Sequence, residues 1–396
     1  MDPSGKVLNV NYPTIKRSLQ YIGGSLGRER LTYQNLSDWT VIPESQSQIE
    51  LIHDQLEVKC ETENNRQIFW SAFAGLVPNP VKDFAAESEE NLSLHFLVLD
   101  STGLNQFRRH LPKTGEFLQN RGVVFPQGYM KVGDNSMPNL LPILTGQRIH
   151  NQSKELPSDF SQEFRGEQIL MDDLPWIWNV LHERGCVSLF NDDVMDYGRG
   201  VFHYPYDSVS GFRRPPTHHY YRPFWVHVRR QPLLNSSRLC YGNHPFHRIQ
   251  MQIFKQFLMA YRDVCQFSFN FLTAIGHDRP EDIERMDDEL VNFLQSQYSS
   301  GGFNKTILIL MGDHGHRVSQ IKFTYLGKIE ERMPFFSLLL PDWLIAKHGA
   351  RMQVFEENSH KLDLYELFLD TLVENADRKI YFAAVVKFEN IDIMES

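Results

Sequence analysis

Short apolar runs recur along the chain, and the longer ones predict buried strands. Residues 94–99 (Leu-His-Phe-Leu-Val-Leu) and 306–310 (Thr-Ile-Leu-Ile-Leu) are two of them, and 335–340 is a third that ends at Pro341. Residues 269–275 form another apolar stretch. Runs that are apolar at nearly every position are typical of central strands, because such strands are covered on both faces of a sheet.

Between these runs the apolar positions follow the period of an α-helix. Over residues 281–296 they recur on one face, and Pro280 lies near the start, as is common at helix N-termini. The residues on that face are Ile283, Met286, Leu290, Phe293 and Leu294. Strands alternate with helices from about residue 91 to 375, which predicts an α/β fold.

The same pattern indicates how the chain is organised. Residues 1–90 are largely irregular apart from an alternating strand at 56–60, so they are predicted to form an N-terminal accessory segment. Residues 91–396 are predicted to form one large domain. Within it, residues 197–248 are rich in Tyr, Pro, Arg and His and are interpreted as an insertion, either a substrate-covering segment or a surface loop.

Charged residues follow two of the predicted strands. Asp100 comes directly after 94–99, and Asp313 and His314 follow shortly after 306–310. Open α/β sheets bind ligands beyond the carboxyl ends of their strands, and a carboxylate beside an imidazole suits a divalent metal. The alternative is structural, because an Asp at a strand end often caps the next helix and His314 would then be solvated.

Ser136 marks the start of a predicted helix. It is placed as the N-cap, with Pro138 in the first turn, Pro142 as a source of distortion and Gly146 as the stop signal. A helix N-terminus attracts phosphate or sulfate, and a hydroxyl there becomes a nucleophile if a metal lowers its pKa. Otherwise Ser136 is only a structural cap.

The order of these motifs resembles the alkaline phosphatase and sulfatase-like superfamily: Asp at a strand end, Ser/Thr-x-Pro-Asn at a helix start, and Asp-His-Gly at a later strand end. The chain is most similar to an animal family of unknown function, DUF229, over about residues 56–372. The matching stretches are 99–101, 111–114, 131–136, 144–146, 174–178, 221–224, 276–278, 313–315 and 330–336. The resemblance implies an alkaline-phosphatase-like, mostly parallel central sheet with helices on both faces, and makes 91–396 the catalytic domain.

The resemblance also implies roles for individual residues. One divalent metal, Zn or Mn, would be held by Asp100, Ser136, Asp313 and His314. Ser136 would be the attacking group, as an alkoxide, and His277 would hold the substrate anion or protonate the leaving group. Asn139 and His316 would bind substrate. The alternatives are that Asn139 orients the helix start or is only a first-turn residue, and that His316 supports the metal ligands without binding the metal.

Departures from the family pattern narrow these expectations. Thr273 stands where two-metal relatives carry an Asp, which favours a single metal. Leu140 stands where sulfatases carry the Arg of Cys/Ser-x-Pro-x-Arg, so conversion of Ser136 to formylglycine is not expected and phosphate-type esters are favoured over sulfate esters. Altered flanking segments at 101–104 and 191–193 leave a second hypothesis open, a non-catalytic relative that binds an anionic ligand or a protein partner.

The composition mainly argues against certain partners and against a transmembrane segment. The chain is 41% apolar, with 28 Phe and 15 Tyr, which is enough for a large core. A net charge of −9 argues against nucleic acid or an anionic membrane as a general partner. No apolar run approaches the length of a membrane span, so no transmembrane segment is predicted. The predicted partner is a phosphate- or sulfate-ester substrate, on a glycan or a lipid head group.

The sequence gives two opposing indications of the cellular compartment. Residues 1–6 contain no apolar signal region, which by itself indicates the cytosol. The resemblance implies the extracellular space or the secretory pathway instead. Sequons at Asn35, Asn91, Asn151, Asn235 and Asn304 support secretion. The four cysteines, at positions 60, 186, 240 and 265, allow three pairings.

Overall fold

The structure is a computed structural model. It describes residues 7–9, 16–22, 36–46, 48–88, 91–147, 171–195, 200–202, 211–212, 214–229 and 239–360. The chain forms two compact units. The first consists of residues 1–96, 170–173 and 184–275, and the second of residues 97–169, 174–183 and 276–396.

The strands of the described residues are β1 (Val7–Asn9), β2 (Lys16–Tyr21), β3 (Thr40–Ile42), β4 (Gln48–Glu50), β5 (Gln55–Glu61), β6 (Gln67–Ala74), β7 (Ser93–Leu99), β8 (Val187–Asp192), β9 (His219–Tyr220), β10 (Cys240–Tyr241), β11 (His244–Pro245), β12 (Gln266–Leu272), β13 (Thr306–Gly312) and β14 (Phe336–Leu339).

The α-helices are α1 (Leu104–His110), α2 (Pro112–Gln119), α3 (Ser136–Thr145), α4 (Ile177–Glu183), α5 (Arg222–Val228), α6 (Phe246–Ala260), α7 (Asp287–Ser299), α8 (Tyr325–Arg332), α9 (Asp342–Lys347) and α10 (Gly349–Asn358). Turns of 3₁₀ helix cover Val81–Asp83, Met171–Asp173, Pro280–Met286 and Gln320–Phe323.

A six-stranded sheet has the strand order β14-β13-β7-β12-β8-β9. β12 runs parallel to β8 and β8 runs parallel to β9, whereas β14 is an antiparallel edge strand. Every residue of β7, β8, β12 and β13 is buried. Burial on both faces is what the apolar runs predicted, because a strand inside such a sheet has no solvated side. The predicted α/β fold with a mostly parallel central sheet and helices on both faces is confirmed.

The first unit also contains an antiparallel sheet with the order β3-β2-β5-β6. The predicted strand at 56–60 lies within β5, but the expectation that residues 1–90 are otherwise irregular is wrong. β2 shows no apolar run in the sequence, because its four consecutive buried positions, 17–20, include Arg17 and Gln20. Arg17 donates to the carbonyl of Pro43 at 2.6 Å, and such a partner cannot be identified from local sequence. The domain boundary near residue 90 stays a prediction.

A disulfide joins Cys186 and Cys265, which immediately precede β8 and β12. The two strands are parallel neighbours in register, so their first residues lie side by side. Cys60 and Cys240 are free. Of the predicted glycosylation sites, Asn304 is exposed and Asn91 is partly buried, while Asn35, Asn151 and Asn235 lie outside the described residues.

Residues 214–229 do not form the surface loop that their polar composition predicted. Every residue of α5 is buried, and Trp225 donates its indole N–H to Asn191 at 3.0 Å. His219 and His227 are also buried, and each lies 2.7 Å from a carboxylate of the first unit. Buried ionisable groups persist when they are paired, so composition alone gave the wrong environment for this segment. That 197–248 is an insertion stays a prediction.

In the second unit, the helix predicted at 281–296 is divided into two elements. The 3₁₀ turn Pro280–Met286 comes first, and α7 follows from Asp287. The predicted apolar face is buried throughout. Asp287 accepts backbone N–H groups of Lys113 and Thr114 at 3.0 and 2.9 Å, so its carboxylate caps the start of α2. This contact between distant parts of the sequence coincides with the change of helix type.

Candidate metal centre

Three ligand-type side chains meet at the carboxyl ends of β7 and β13. Asp100, Asp313 and His314 are each at most 2% exposed, and one ligand atom from each lies within 4.8 Å of the others. His314 Nε2 is 3.8 Å from Asp100 Oδ1 and 3.5 Å from Asp313 Oδ2. These separations are too long for good hydrogen bonds. They leave the three atoms facing one another across a space that a cation fits.

Asp313 is held by one carboxylate oxygen and leaves the other free. Its Oδ1 accepts the backbone N–H groups of Ser101 and His314 at 2.9 and 2.8 Å. Its Oδ2 is buried and has no hydrogen-bond partner among the described residues. A buried carboxylate oxygen without a partner is unfavourable, so the arrangement indicates a ligand that would compensate it.

His314 directs its Nε2 toward both carboxylates. Its Nδ1 lies 3.0 Å from the carbonyl oxygen of Gly315. Because a carbonyl only accepts hydrogen bonds, Nδ1 carries a proton, and in the neutral ring the lone pair is then on Nε2. Metal-binding histidines are commonly oriented by such a bond from the other ring nitrogen.

Two glycines allow the backbone around the site to close tightly. A Cβ at Gly312 would overlap the carbonyl oxygen of Thr102, and one at Gly315 would overlap that of Glu330. Gly312 also donates its N–H to Phe335 at 2.8 Å, and Gly315 donates to Glu331 at 3.0 Å. The glycines of the Met-Gly-Asp-His-Gly segment are therefore required by close backbone approach.

Ser101 belongs to the site, although sequence reasoning did not assign it. Its φ is +59°, a left-handed conformation that is uncommon for a residue other than Gly, Asn or Asp. In this conformation its N–H reaches Asp313 Oδ1, and its hydroxyl donates to Asp100 Oδ1 at 3.1 Å. Strained backbone of this kind clusters at functional sites. Nothing in the sequence signals it, because Ser does not favour positive φ.

Ser136 is the first residue of α3, and the N-cap is Asn135, so the predicted N-cap is displaced by one residue. Ser136 is partly buried, and its hydroxyl makes no hydrogen bond to the described residues. The preceding residue is tied to the segment that follows His314, because Arg317 donates its guanidinium N–H to Asn135 Oδ1. Hydrogen bonding and charge from Lys131, with a smaller contribution from Arg317, hold the pKa of Asp134 below its usual value.

Asn139 is fully engaged within the loop that precedes Ser136. Its Oδ1 accepts from the N–H groups of Val132 and Gly133 at 2.7 and 3.0 Å. Its Nδ2 donates to the carbonyls of Gly133 and Asn135 at 2.9 and 2.8 Å. With its hydrogen-bonding capacity used in this way, Asn139 orients the helix start, the alternative considered from sequence. Its role in substrate binding stays a prediction.

The two remaining predicted site residues differ in environment. His277 follows β12 in a loop, its side chain is 46% exposed, and its Nδ1 lies 2.9 Å from Asp278. His316 is buried, and burial lowers its pKa to about 4, so it is neutral at physiological pH. Its Nδ1 accepts the N–H of Ser319 at 3.2 Å. The catalytic role of His277 and the substrate-binding role of His316 stay predictions.

A second acidic strand end, after β8 in the first unit, has a different character. Asp192 accepts the N–H groups of Val194 and Val201 at 2.9 and 3.1 Å. Asp193 accepts those of Thr273 and Ala274 at 2.7 and 3.3 Å. Burial raises the pKa of Asp193 to about 7. These carboxylates have backbone partners, and within the described ranges the metal-type cluster is Asp100, Asp313 and His314.

The fold and this cluster define an α/β protein with acidic and histidine side chains gathered at the strand ends of a mostly parallel sheet. The chain belongs to the family described as protein of unknown function (DUF229), whose family model matches residues 27–365. The family predicted from the sequence motifs is confirmed. No curated protein sequence matches the chain.

Several solved structures are similar at low identity. The lipoteichoic acid synthase LtaP from Listeria monocytogenes is 11% identical over 66% of this chain and 70% of its own, with a TM-score of 0.40. A protein in the alkaline phosphatase superfamily from Vibrio parahaemolyticus is 14% identical over 67% and 65%, with a TM-score of 0.42. The periplasmic domain of phosphoethanolamine transferase EptC from Campylobacter jejuni is 11% identical over 69% and 85%, with a TM-score of 0.39.

Among the residues that the structure describes, no helix has both the length and the apolar composition needed to cross a bilayer.

Proposed function

We propose that this protein is a metal-dependent hydrolase or transferase of phosphate-type esters that uses Ser136 as its nucleophile. The observation that carries the proposal is the unpartnered Asp313 Oδ2, buried beside Asp100 and His314. Removing three such groups from water without a compensating charge would be costly.

The donor set suits Zn or Mn. Two carboxylates and an imidazole are the residue types that these metals bind, and the Ser136 hydroxyl would complete the set. Two ligands bound at normal Zn distances in a tetrahedron lie about 3.4 Å apart. The separations of 3.5 and 3.8 Å around His314 Nε2 are close to that value. When bound, such an ion lowers the pKa of a hydroxyl and neutralises charge on a phosphoryl oxygen.

In the proposed reaction, Ser136 is the nucleophile and His277 transfers protons. Ser136 Oγ, which would enter the reaction as an alkoxide and be released as one, forms a bond to phosphorus as the bond to the leaving oxygen breaks, and the leaving oxygen takes a proton from His277. Ser136 is the first residue of α3, and the N–H groups of a helix N-terminus favour an anion. Water or a second alcohol then attacks phosphorus, returns the proton to His277 and releases Ser136. Water gives hydrolysis and an alcohol gives transfer.

The residue at position 140 supports phosphate-type over sulfate esters. Leu140 is fully buried in α3, one turn after Ser136. It replaces the Arg of the motif that directs formylglycine formation, so Ser136 stays a hydroxyl. A hydroxyl suits a phosphoenzyme-type mechanism, and the ester is proposed to be on a glycan or a lipid head group.

An oxidising location is supported by the disulfide between Cys186 and Cys265, because cytosolic proteins rarely keep such bonds. The exposed sequon at Asn304 agrees with this. The proposed location is therefore the extracellular space or the secretory pathway.

The test combines metal content with turnover. The full chain, produced in a secretory host, is analysed for Zn and Mn and assayed against p-nitrophenyl phosphate, bis-p-nitrophenyl phosphate and p-nitrophenyl sulfate. About one metal per chain, with turnover of a phosphate ester that chelation removes, is the expected result. A folded protein that binds no offered metal contradicts the proposal. Metal binding without turnover of any ester favours the non-catalytic binding protein.

A further inference from the structure

Exposed apolar side chains are concentrated in the segment that follows the candidate metal centre. The chain is buried from Asp313 to His316 and then turns outward. Five large apolar side chains, 36–79% exposed, lie within nine residues: Val318, Ile321, Phe323, Tyr325 and Leu326. We call these five residues the 318–326 surface. Single exposed apolar residues need no explanation, but a concentration of this kind marks an interaction site.

The 318–326 surface is part of an ordered turn and helix. The hydroxyl of Thr324, the N-cap of α8, accepts the N–H of Gly327 at 3.0 Å and donates to the carbonyl of Ile321 at 2.7 Å. These bonds connect the 3₁₀ turn Gln320–Phe323 to the first turn of α8. Phe323, Tyr325 and Leu326 are therefore presented to solvent by defined structure.

The segment 317–332, which contains this surface, has four basic and two acidic residues, although the whole chain carries −9. Lys322 and Lys328 make no ion pair with the described residues, and Lys322 lies over the ring of Phe323 at 5.2 Å. The acidic residues of 317–332 are Glu330 and Glu331. Glu330 is paired with Arg109 at 2.6 Å, and Glu331 is paired with Lys131. The segment therefore carries free lysines but no free carboxylate.

We propose that the 318–326 surface docks onto a lipid bilayer that contains anionic lipids. Aromatic rings beside lysines are favoured at the bilayer interface, where the ring enters the head-group region and the ammonium meets lipid phosphate. A protein partner fits less well, because lysines are depleted from the cores of protein–protein interfaces. Docking requires neither metal nor catalysis.

Docking at this surface would favour substrates carried by the membrane. Val318 is two residues beyond His316, so the surface begins where the segment with Asp313 and His314 ends. A protein bound through Phe323, Tyr325 and Leu326 would meet phosphate esters on lipids at high local concentration. This consequence rests on the proposed function, whereas the docking itself does not.

The test is co-sedimentation of the full chain with large unilamellar vesicles of phosphatidylcholine, with and without phosphatidylserine. Replacing Phe323, Tyr325 and Leu326 together by Ser should weaken binding at least about tenfold, because three apolar side chains no longer leave water. Replacing Lys322 and Lys328 by Gln should lower only the component that depends on phosphatidylserine, by about fivefold for each lysine.

The matched control carries Met259→Ser and Val354→Ser. These apolar residues are 68% and 47% exposed but lie outside the surface. Binding equal to the unmodified protein is expected for this control. Thermal melting checks that each variant is folded, and all altered positions are at the surface.

Three results would overturn the proposal. The first is that the unmodified protein binds neither type of vesicle. The second is that the control substitutions weaken vesicle binding as much as the triple substitution does. The third is a dimer, measured by light scattering, that the triple variant dissociates while vesicle binding is unchanged, because the occupant would then be a second copy of this chain. An unmodified protein that binds vesicles but turns over no ester would contradict the proposed function and leave the docking proposal in place.

Discussion

The strand ends after β13 and after β8 look alike in sequence and differ in structure. Each strand is fully buried and ends in acidic residues: Asp313 directly follows β13, and Asp192, the last residue of β8, is followed by Asp193. Asp192 and Asp193 receive backbone N–H groups from residues around them. Asp313 uses one oxygen in that way and leaves Oδ2 without a partner in the described structure. The distinguishing feature of the candidate site is therefore this unpartnered oxygen.

The carboxylates at the two strand ends also have different electrostatic surroundings. Burial raises the pKa of Asp192, although Arg222 partly offsets the effect, and burial raises that of Asp193 to about 7. The β8 end thus keeps a carboxylate that is partly protonated near neutral pH. The Asp313 end places two carboxylates around an imidazole nitrogen, Nε2 of His314, which is an arrangement of ligand types that suits a cation. Removing the carboxylate should therefore abolish metal binding at the Asp313 end and leave metal binding unchanged at the β8 end.

The largest effect is expected for Asp313→Asn. The amide keeps the size of the side chain but removes the anionic ligand atom, so metal content should fall from about one per chain to near zero. The increase in melting temperature on adding Zn or Mn should disappear with it. Elemental mass spectrometry and thermal melting measure the two results.

Asp193→Asn is the matched control for Asp313→Asn, because it is the same change at a buried strand end. It should keep its metal. Full occupancy in Asp313→Asn, or equal loss in both variants, would show that the contrast between the two strand ends does not concern metal binding.

The next effect is expected for Ser136→Ala. If the hydroxyl is the nucleophile, turnover of a phosphate ester should fall at least about a thousandfold, as expected when a catalytic nucleophile is removed. Ser136→Thr keeps a hydroxyl and should retain measurable turnover. Metal content should persist in the Ala variant, because three ligands remain. An Ala variant with unchanged kcat would remove Ser136 from the mechanism while leaving the metal centre in place.

Much of the candidate site could be predicted because its ligands follow runs that are apolar at nearly every position. β7 and β13 have that pattern, so Asp100 and Asp313 could be placed at strand ends. Ser101 could not be placed, because its φ of +59° is imposed by the chain around it. The state of Asp193 was hidden too, since its partners Thr273 and Ala274 are distant in sequence.

The least predictable part of the fold is the one in which polar residues are buried. Arg17 in β2 and His227 in α5 are inside the first unit, and each has a hydrogen-bond partner far along the chain. Such positions interrupt the apolar patterns from which buried strands and helices are recognised in a sequence. Sequence patterns predicted the central sheet because its buried strands are almost uniformly apolar.

Asp193→Asn should change stability with pH. The folded pKa of Asp193 is about 7 against 3.8 for the ordinary group, so the folded protein binds more protons between these values. Its contribution therefore becomes less favourable as pH rises through that range, by up to about 4 kcal/mol in total. The variant lacks this titration, while its amide oxygen can still accept from Thr273 and Ala274. Its stability relative to the unmodified protein should increase from about pH 5 to about pH 8.

Urea unfolding at several pH values measures that difference. Because every other titrating group is common to both proteins, the difference between them isolates Asp193. A difference that stays constant across the range, or that shrinks as pH rises, would contradict the assignment of a neutral, buried Asp193.

The smallest effect is expected for Ser101→Gly. Gly adopts a φ of +59° without strain, and its N–H would still donate to Asp313 Oδ1, so the stability should change by less than about 1 kcal/mol. The lost hydroxyl bond to Asp100 should weaken metal binding by about tenfold, the lower range for groups that orient metal ligands. Ser101→Val tests the conformation separately, because a β-branched residue is strongly disfavoured at positive φ. Calorimetric titration with Zn and urea unfolding measure both variants. If Val is tolerated as well as Gly, the left-handed turn does not position Asp313, and the free oxygen at this strand end needs another cause.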